Sequence, residues 1–436
     1  MRAALDRYFG LTRHGTNVRT EVMAGLVTFL TMVYIVIVNP AILEAAGIPR
    51  GPSMVATIVT AVFGTLLMGV YAKRPFAIAP YMGENAFVAY TVVKLLGYTW
   101  QQALGAIFLG GIIFVVLTIA GLRAWLAKAI PMCLKYSFAA GIGLFLTFVG
   151  LNEAGIVIVG SPGAPVHVGE IRSAGVLLAI FGLFLMGMMM VRRIRAGILI
   201  GILVITLFSV LLNVTEAPQG LVSAPPSLAP ILFKLDILGA LTWGFLAVIL
   251  TVFIMDFVDT MGTLIGVSAR AGFLDEEGNL PEMDKPMLAD ALATVFGALA
   301  GTTTAGTYIE SAAGVESGGR TGLTAVVVAL LFLVCLFFAP LFTAIPGVAT
   351  GPALIIVGML MLSAVTRIDF ADFTELIPSF IVIILMSFTY NIGIGIAAGF
   401  VAYPVFKVVA GRHRDIHPGL WPLSILSFFF FVFYPY

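Results

Sequence analysis

Long apolar runs alternate along the chain with short breaks made of charged residues or of Pro and Gly. A bilayer core needs about 20 apolar residues per crossing helix, so these runs read as membrane spans. The pattern predicts segments at 20–42, 52–72, 83–96, 101–121, 134–151, 173–191, 196–213, 237–268, 286–301, 309–317, 320–344, 351–366, 373–389 and 392–409. The connections 152–172 and 214–236 read as long loops rich in Gly, Pro and Ser, and the aromatic stretch Leu420 to Tyr436 as an interfacial segment. Segments 83–96 and 309–317 are too short to cross as continuous helices. Both stand third in their half of the chain, and an odd number of spans per half turns the second half upside down relative to the first. The expected fold is therefore an all-α polytopic membrane protein with 14 transmembrane segments in two inverted 7-span repeats, 20–215 and 236–410, spans 3 and 10 being broken half-helices.

The breaks have a local cause. Pro75 and Pro80 forbid a helix before Gly83, after which a helix start is plausible at Glu84 and Asn85. Gly301-Thr302-Thr303-Thr304-Ala305-Gly306 disfavours a helix through its Gly and β-branched residues, ahead of Thr307, Glu310 and Ser311. Non-helical backbone survives at membrane depth only where protein or a wet cavity satisfies it, so both breaks should line an interior site.

Composition agrees with a membrane solvent. The chain is 60% hydrophobic and 10% charged, against roughly 25% charged in soluble domains. The formal charge of +1 gives no reason to expect nucleic acid as a partner. Cys133 and Cys335 have no paired spacing, so neither a disulfide framework nor a metal site is expected. With residues 1–19 cytoplasmic, 19 of the 23 Lys and Arg, Arg123 among them, fall in cytoplasmic loops or termini. Only Arg50, Lys94, Arg172 and Lys234 fall outside. That asymmetry supports the span count and predicts a multi-pass plasma-membrane protein with both termini in the cytoplasm, 411–436 included.

Five acids sit in apolar surroundings: Glu84, Asp256, Asp259, Asp290 and Glu310. Each costs roughly 2.5–3.5 kcal/mol at the bilayer centre on insertion scales, so they should face a cavity. Asp290 is the weakest candidate, because it reads as lying in the first turn of its helix, where an acid merely favours the dipole. Asp256 and Asp259 share one face of a run about 32 residues long, 237–268, with Thr260 and Thr263 extending the stripe. Two carboxyls so close should hold one proton between them. Glu84 and Asn85 open one half-helix, Glu310 and Ser311 the other. Carboxylate acceptors, one amide and helix N–H groups suit a planar heterocycle with alternating N–H and C=O edges. All four histidines lie outside the spans, so a proton relay must use carboxylates. The expected substrate-binding set is Glu84, Asn85, Asp256, Thr307, Glu310 and Ser311, with cation coupling by Asp256, Asp259 and Glu310, and no cofactor.

At these residues the chain resembles the azaguanine-resistance (AzgA-like) purine permeases of the nucleobase:cation symporter 2 family, relatives of the xanthine/uracil permeases. The resemblance rests on Tyr8-Phe9-Gly10-Leu11, on Arg19-Thr20-Glu21, on Asp256-x-x-Asp259-Thr260-x-Gly262-Thr263 and on the long motif from Tyr308 to Leu323. It implies a core domain of 20–121 and 237–344 against a gate domain of 134–213 and 351–409. It further implies uptake of a purine (adenine, guanine or hypoxanthine) with a proton, or with sodium as the other cation, and it admits a homodimer. One departure stands out: Tyr81 and Glu84 replace the Gly and Leu of the usual Pro-Gly-Met-Gly-Leu-Asn-Ala, which changes the pocket edge. Readings weighed beside this one are a xanthine or uracil transporter, an anion exchanger or channel on the same architecture, and an intramembrane aspartyl protease. The last needs its two acids on facing elements, whereas Asp256 and Asp259 share a helix.

Overall fold

The computed structural model describes residues 2–122, 125, 128–161, 164–218, 220–275 and 280–433. Arg123, residues 276–279 and the last three aromatic or Pro positions lie outside the described residues.

Among the described residues, nine helices are long and apolar enough to cross a membrane. In chain order the elements are α1 (Val18–Glu44) and α2 (Arg50–Tyr71), β1 (Ile78–Pro80) and α3 (Met82–Ala86, continued by π-helical turns to Leu95). There follow α4 (Trp100–Ile119), α5 (Met132–Glu153), a hairpin of β2 (Val157–Ser161) and β3 (Ala164–Val168), α6 (Ala174–Val191) and α7 (Gly197–Leu211). The second half contributes α8 (Trp243–Ala271), α9 (Asp284–Ala300), β4 (Ala305–Thr307), α10 (Ser311–Glu316), α11 (Gly322–Thr343) and α12 (Gly347–Arg367). It ends with α13 (Phe373–Phe388), α14 (Ile392–Val409) and α15 (Leu420–Phe433).

Four expectations need correction. The chain is mostly helical but not all-α, because the two breaks meet as an antiparallel strand pair, with Ile78 opposite Thr307 and Pro80 opposite Ala305. Their backbone groups find partners across the pair, which satisfies at depth what a helix would have satisfied internally. The loop 152–172 holds a second hairpin. The run 237–268 is interrupted: a short helix, Ile237–Ala240, precedes α8, which is then continuous through Asp256 and Asp259. Finally, α9 begins at Asp284, so Asp290 lies beyond the first turn and no longer owes its place to the helix dipole.

Contacts between helices are dense within two groups. In one, α11 packs on α1 and α2, and α9 on α2 and α4, with α8 also on α4. In the other, α5 packs on α12 and α13, α6 on α7 and α12, and α13 on α14. The α5–α12 seam is close because it is built on glycine: a Cβ added at Gly150 would meet the Gly351 carbonyl at 2.7 Å, and one at Gly143 the Gly358 carbonyl at 2.6 Å. Glu21, fully buried near the start of α1, accepts from the N–H groups of Arg320, Thr321 and Thr324 at 2.9–3.3 Å and from the Thr324 hydroxyl at 2.6 Å. A carboxylate thereby satisfies the open N–H groups at the start of α11 and ties the beginning of the chain to the second half.

Candidate substrate site

The site is built on the β1–β4 pair. Tyr81 follows β1 and Tyr308 follows β4; their rings lie parallel, centroids 6.1 Å apart and planes within 6°. Each hydroxyl fastens to the opposite strand: Tyr81 Oη donates to the Thr307 carbonyl at 3.3 Å, and Tyr308 Oη to the Pro80 carbonyl. The Tyr81 hydroxyl also lies 3.4 Å from Thr260 Oγ1 and from Thr263 Oγ1 on α8. Gly306 permits this, since a Cβ there would come within 2.4 Å of Tyr81 Oη.

Around the clamp the structure gathers the expected acids. Glu84 is fully buried at the third residue of α3, and neither of its oxygens receives a donor. The carboxyl of Asp259 lies against it. Asn85 Nδ2 donates to Asn39 Oδ1, and Asn39 Nδ2 in turn reaches Thr57 Oγ1 at 2.7 Å and Thr302 Oγ1 at 3.0 Å. Asn85 Oδ1 is left without a donor. The amide expected to offer both a donor and an acceptor thus spends a donor on α1 and keeps its acceptor unpaired. Asp256 Oδ2 accepts from Thr294 Oγ1 at 2.9 Å, while Asp256 Oδ1 has no partner. Glu310, immediately before α10 and half-buried, accepts from Tyr34 Oη at 2.5 Å. Tyr308 stands among Glu84, Asp259 and Glu310.

The remaining expected residues have structural partners. Thr307 gives both its N–H and its hydroxyl to Asp290, at 3.0 and 3.1 Å, so Asp290 holds β4 in place. Ser311 Oγ accepts from the Ala77 N–H at 3.0 Å and pins the start of α10 beside β1. Sequence reading missed Tyr34, Asn39 and Thr294. Asn39 carried a signal, as a buried amide inside an apolar run; Tyr34 and Thr294 carried none that separates them from ordinary span residues.

None of the described ion pairs includes any of the five acids. Among the described residues, no group of three or more His, Cys, Asp or Glu is placed to hold a metal. Along α8, Gly262 and Ile265 are exposed, as is Ile309 beside Glu310 at 50%. This accessible strip runs from half-buried Asp259 toward the Ala271 end of α8. A groove of about 930 Å³ between α5, α6 and α12, lined by Thr147, Phe184, Met188, Arg192, Ile355 and Met359, contains none of the acids.

The chain matches the model of the Permease family, the xanthine/uracil permeases, over residues 19–401. It is 46% identical to a putative permease of Methanocaldococcus jannaschii, covering 98% of this chain and 97% of that one. It is 44% identical to the adenine permease AdeP of Escherichia coli, covering 97% and 94%, and 40% identical to the guanine/hypoxanthine permease PbuG of Bacillus subtilis, covering 98% and 100%. In fold it is similar to the transmembrane domain of a cyanobacterial bicarbonate transporter, BicA, with a TM-score of 0.62 at 16% identity over 87% of this chain and 96% of that one. It is likewise similar to SLC26A9, with a TM-score of 0.65 at 14% identity over 94% and 69%. These two likenesses concern architecture alone. The chain therefore belongs to the xanthine/uracil permease family, within the nucleobase:cation symporter 2 group that its motifs resemble, and is a multi-pass membrane transporter rather than an enzyme.

Proposed function

We propose that this permease is a proton-coupled symporter that carries purine nucleobases, adenine, guanine or hypoxanthine, across the plasma membrane, with both termini in the cytoplasm. Its fourteen segments α1–α14 form two inverted repeats of seven, and a core of 20–121 and 237–344 moves against a gate of 134–213 and 351–409. The denser packing within two helix groups supports that division. Relatives named as adenine and guanine/hypoxanthine permeases support the substrate class.

The observation that carries the reading is the set of buried oxygens without a donor around the tyrosine clamp: Asn85 Oδ1 and Asp256 Oδ1, beside the Glu84 carboxyl that faces Asp259. Buried polar atoms are normally satisfied, so an unpaired cluster implies an occupant that supplies donors. A purine base offers ring and exocyclic N–H groups on a flat frame that fits beside parallel rings. Glu310 and Asn85 grip the base, with Asp256, Thr307 and Ser311 completing its surroundings, and Asp256, Asp259 and Glu310 couple the cation. Simple anions fit poorly, because among the described residues no cation is paired into the acid cluster and the carboxylates would repel them. Uptake of radiolabelled adenine, guanine, hypoxanthine, xanthine and uracil into cells expressing the protein tests this. Accumulation of at least one purine, abolished by collapsing the proton gradient, is expected; failure of all five would overturn the substrate class.

A further inference from the structure

Glu84 and Asp259 differ from the other acids at the centre. Asp256 receives a hydroxyl from Thr294, Asp290 an N–H and a hydroxyl from Thr307, and Glu310 a hydroxyl from Tyr34. Donors of this kind satisfy the carboxyl oxygens they reach. Glu84 has none: it is fully buried, and what its carboxyl meets is the carboxyl of Asp259. Two ionised carboxylates are acceptors only, and cannot bond or neutralise one another.

We propose that Glu84 is a proton-holding residue that works through Asp259, the two carboxyls from α3 and α8 sharing one proton as the coupling element of the transport cycle. Glu84 carries the proton and donates it to an oxygen of Asp259. The pair then bears one negative charge; a second proton, arriving on Asp259, makes it neutral, and release of that proton restores the starting state. One proton is bound and one released per cycle, and no other reactant is needed. The route is set by exposure, because Asp259 is half-buried at the accessible strip while Glu84 is sealed behind it. The exchanging proton therefore arrives and leaves at Asp259.

The surroundings keep the pair to this role. Asp256 flanks it on α8, with Asp290 of α9 beside Asp256, and Tyr308, next to Glu310, faces it from the β4–α10 side. Tyr81 lies on its own stretch, α1 presents Tyr34 and neutral Asn39, and α5 presents Ile142 against Gly83. Among the described residues no Lys, Arg or His forms an ion pair with any of these acids. Leaving both members charged would therefore add an uncompensated charge at membrane depth. Glu84 also adjoins Asn85, so the protonation of the pair is set next to the proposed base contact.

The coupling role rests on the transport reading above, whereas the shared proton does not, and the experiment separates them. Infrared spectra of the purified full-length protein at pH 7, without substrate, should contain the C=O band of a protonated carboxylic acid. Glu84→Gln should remove that band and Asp259→Asn should shift it. In parallel, binding of labelled adenine and guanine is measured across pH. Wild-type affinity should strengthen by about tenfold per unit of falling pH where one proton is linked. Asp259→Asn should flatten that dependence, Glu84→Gln should move the pH range in which the slope occurs, and Glu84→Asp should restore the range. A protonated-acid band unchanged in a folded Glu84→Gln protein overturns the shared proton. A loss of the band in Glu84→Gln with the pH range of the slope unmoved, or a full slope kept in Asp259→Asn, overturns the coupling role. Wild-type protein that binds no purine overturns the transport reading, and the band alone then decides the shared proton.

Discussion

At the residue scale, the acids divide by what each is bonded to. Asp290, discounted on sequence grounds as a favourable first-turn residue, is a buried support whose two oxygens fix Thr307. Asp290→Ala would strand an N–H and a hydroxyl in a dry interior, at about 1–3 kcal/mol each. The expected outcome is a thermal midpoint well below wild type in detergent, with labelled-purine binding lost. Asp290→Asn keeps one acceptor and should fall between the two. Glu310 is set differently, half-buried and oriented by Tyr34, which suits a group that meets a ligand from an accessible side.

At the element scale, the strand pair is the joint on which the site hangs. Gly306→Ala would drive a methyl into Tyr81, which cannot retreat while its hydroxyl is held among Thr260, Thr263 and Thr307. We expect transport to be lost, with the protein still inserted in the membrane at normal abundance, as uptake alongside surface quantification would show. Away from the site, Asp372 caps the start of α13 and joins it to the end of α14 through Arg412 at 2.6 Å and Lys407 at 3.4 Å. Bonds from Thr374 and then from Arg412 hold its carboxyl well below the usual carboxylate range. A depressed folded value stabilises above the ordinary Asp value of about 3.9 and is lost as pH falls through the folded one. The difference in thermal midpoint between wild type and Asp372→Asn should therefore be constant from pH 5 to 8 and shrink only below about pH 4.

At the scale of the whole molecule, one side of the proposed core–gate seam is fastened and the other is accessible. Tyr90 Oη on α3 donates to Glu153 on α5 at 2.5 Å, and Thr91 Oγ1 to the Tyr390 carbonyl at 2.6 Å, while the strip past Asp259 lies open toward the Ala271 end of α8. Alternating access requires those fastenings to break as the two bodies move. In a background lacking Cys133 and Cys335, a disulfide between Gly83→Cys and Ile142→Cys would bridge the seam, where the two Cβ positions are 3.8 Å apart. A disulfide between Gly141→Cys and Met386→Cys, at 3.4 Å, would stay within the gate. Oxidation should arrest uptake in the first protein and spare it in the second, with reductant restoring it; equal inhibition of both would count against a moving seam.

The sequence alone determined that the chain lives in a membrane, where most of its helices run, where two of them fail, and that five acids sit within its apolar segments, of which Glu84, Asp256 and Asp290 are buried. Those follow from local physics: apolar length against bilayer thickness, proline and glycine against the helix, and the cost of charge in hydrocarbon. Only the tertiary structure decided that the two failures pair as strands, that Asp290 and Thr294 are supports, and that Asn85 keeps its acceptor unpaired. It alone set Glu84 against Asp259. Each of these is a contact between residues far apart in the chain, such as Ile78 with Thr307 or Tyr34 with Glu310. A polar residue's neighbours, not its type or its spacing, fix whether it is satisfied, and neighbours of that kind exist only once the chain has folded.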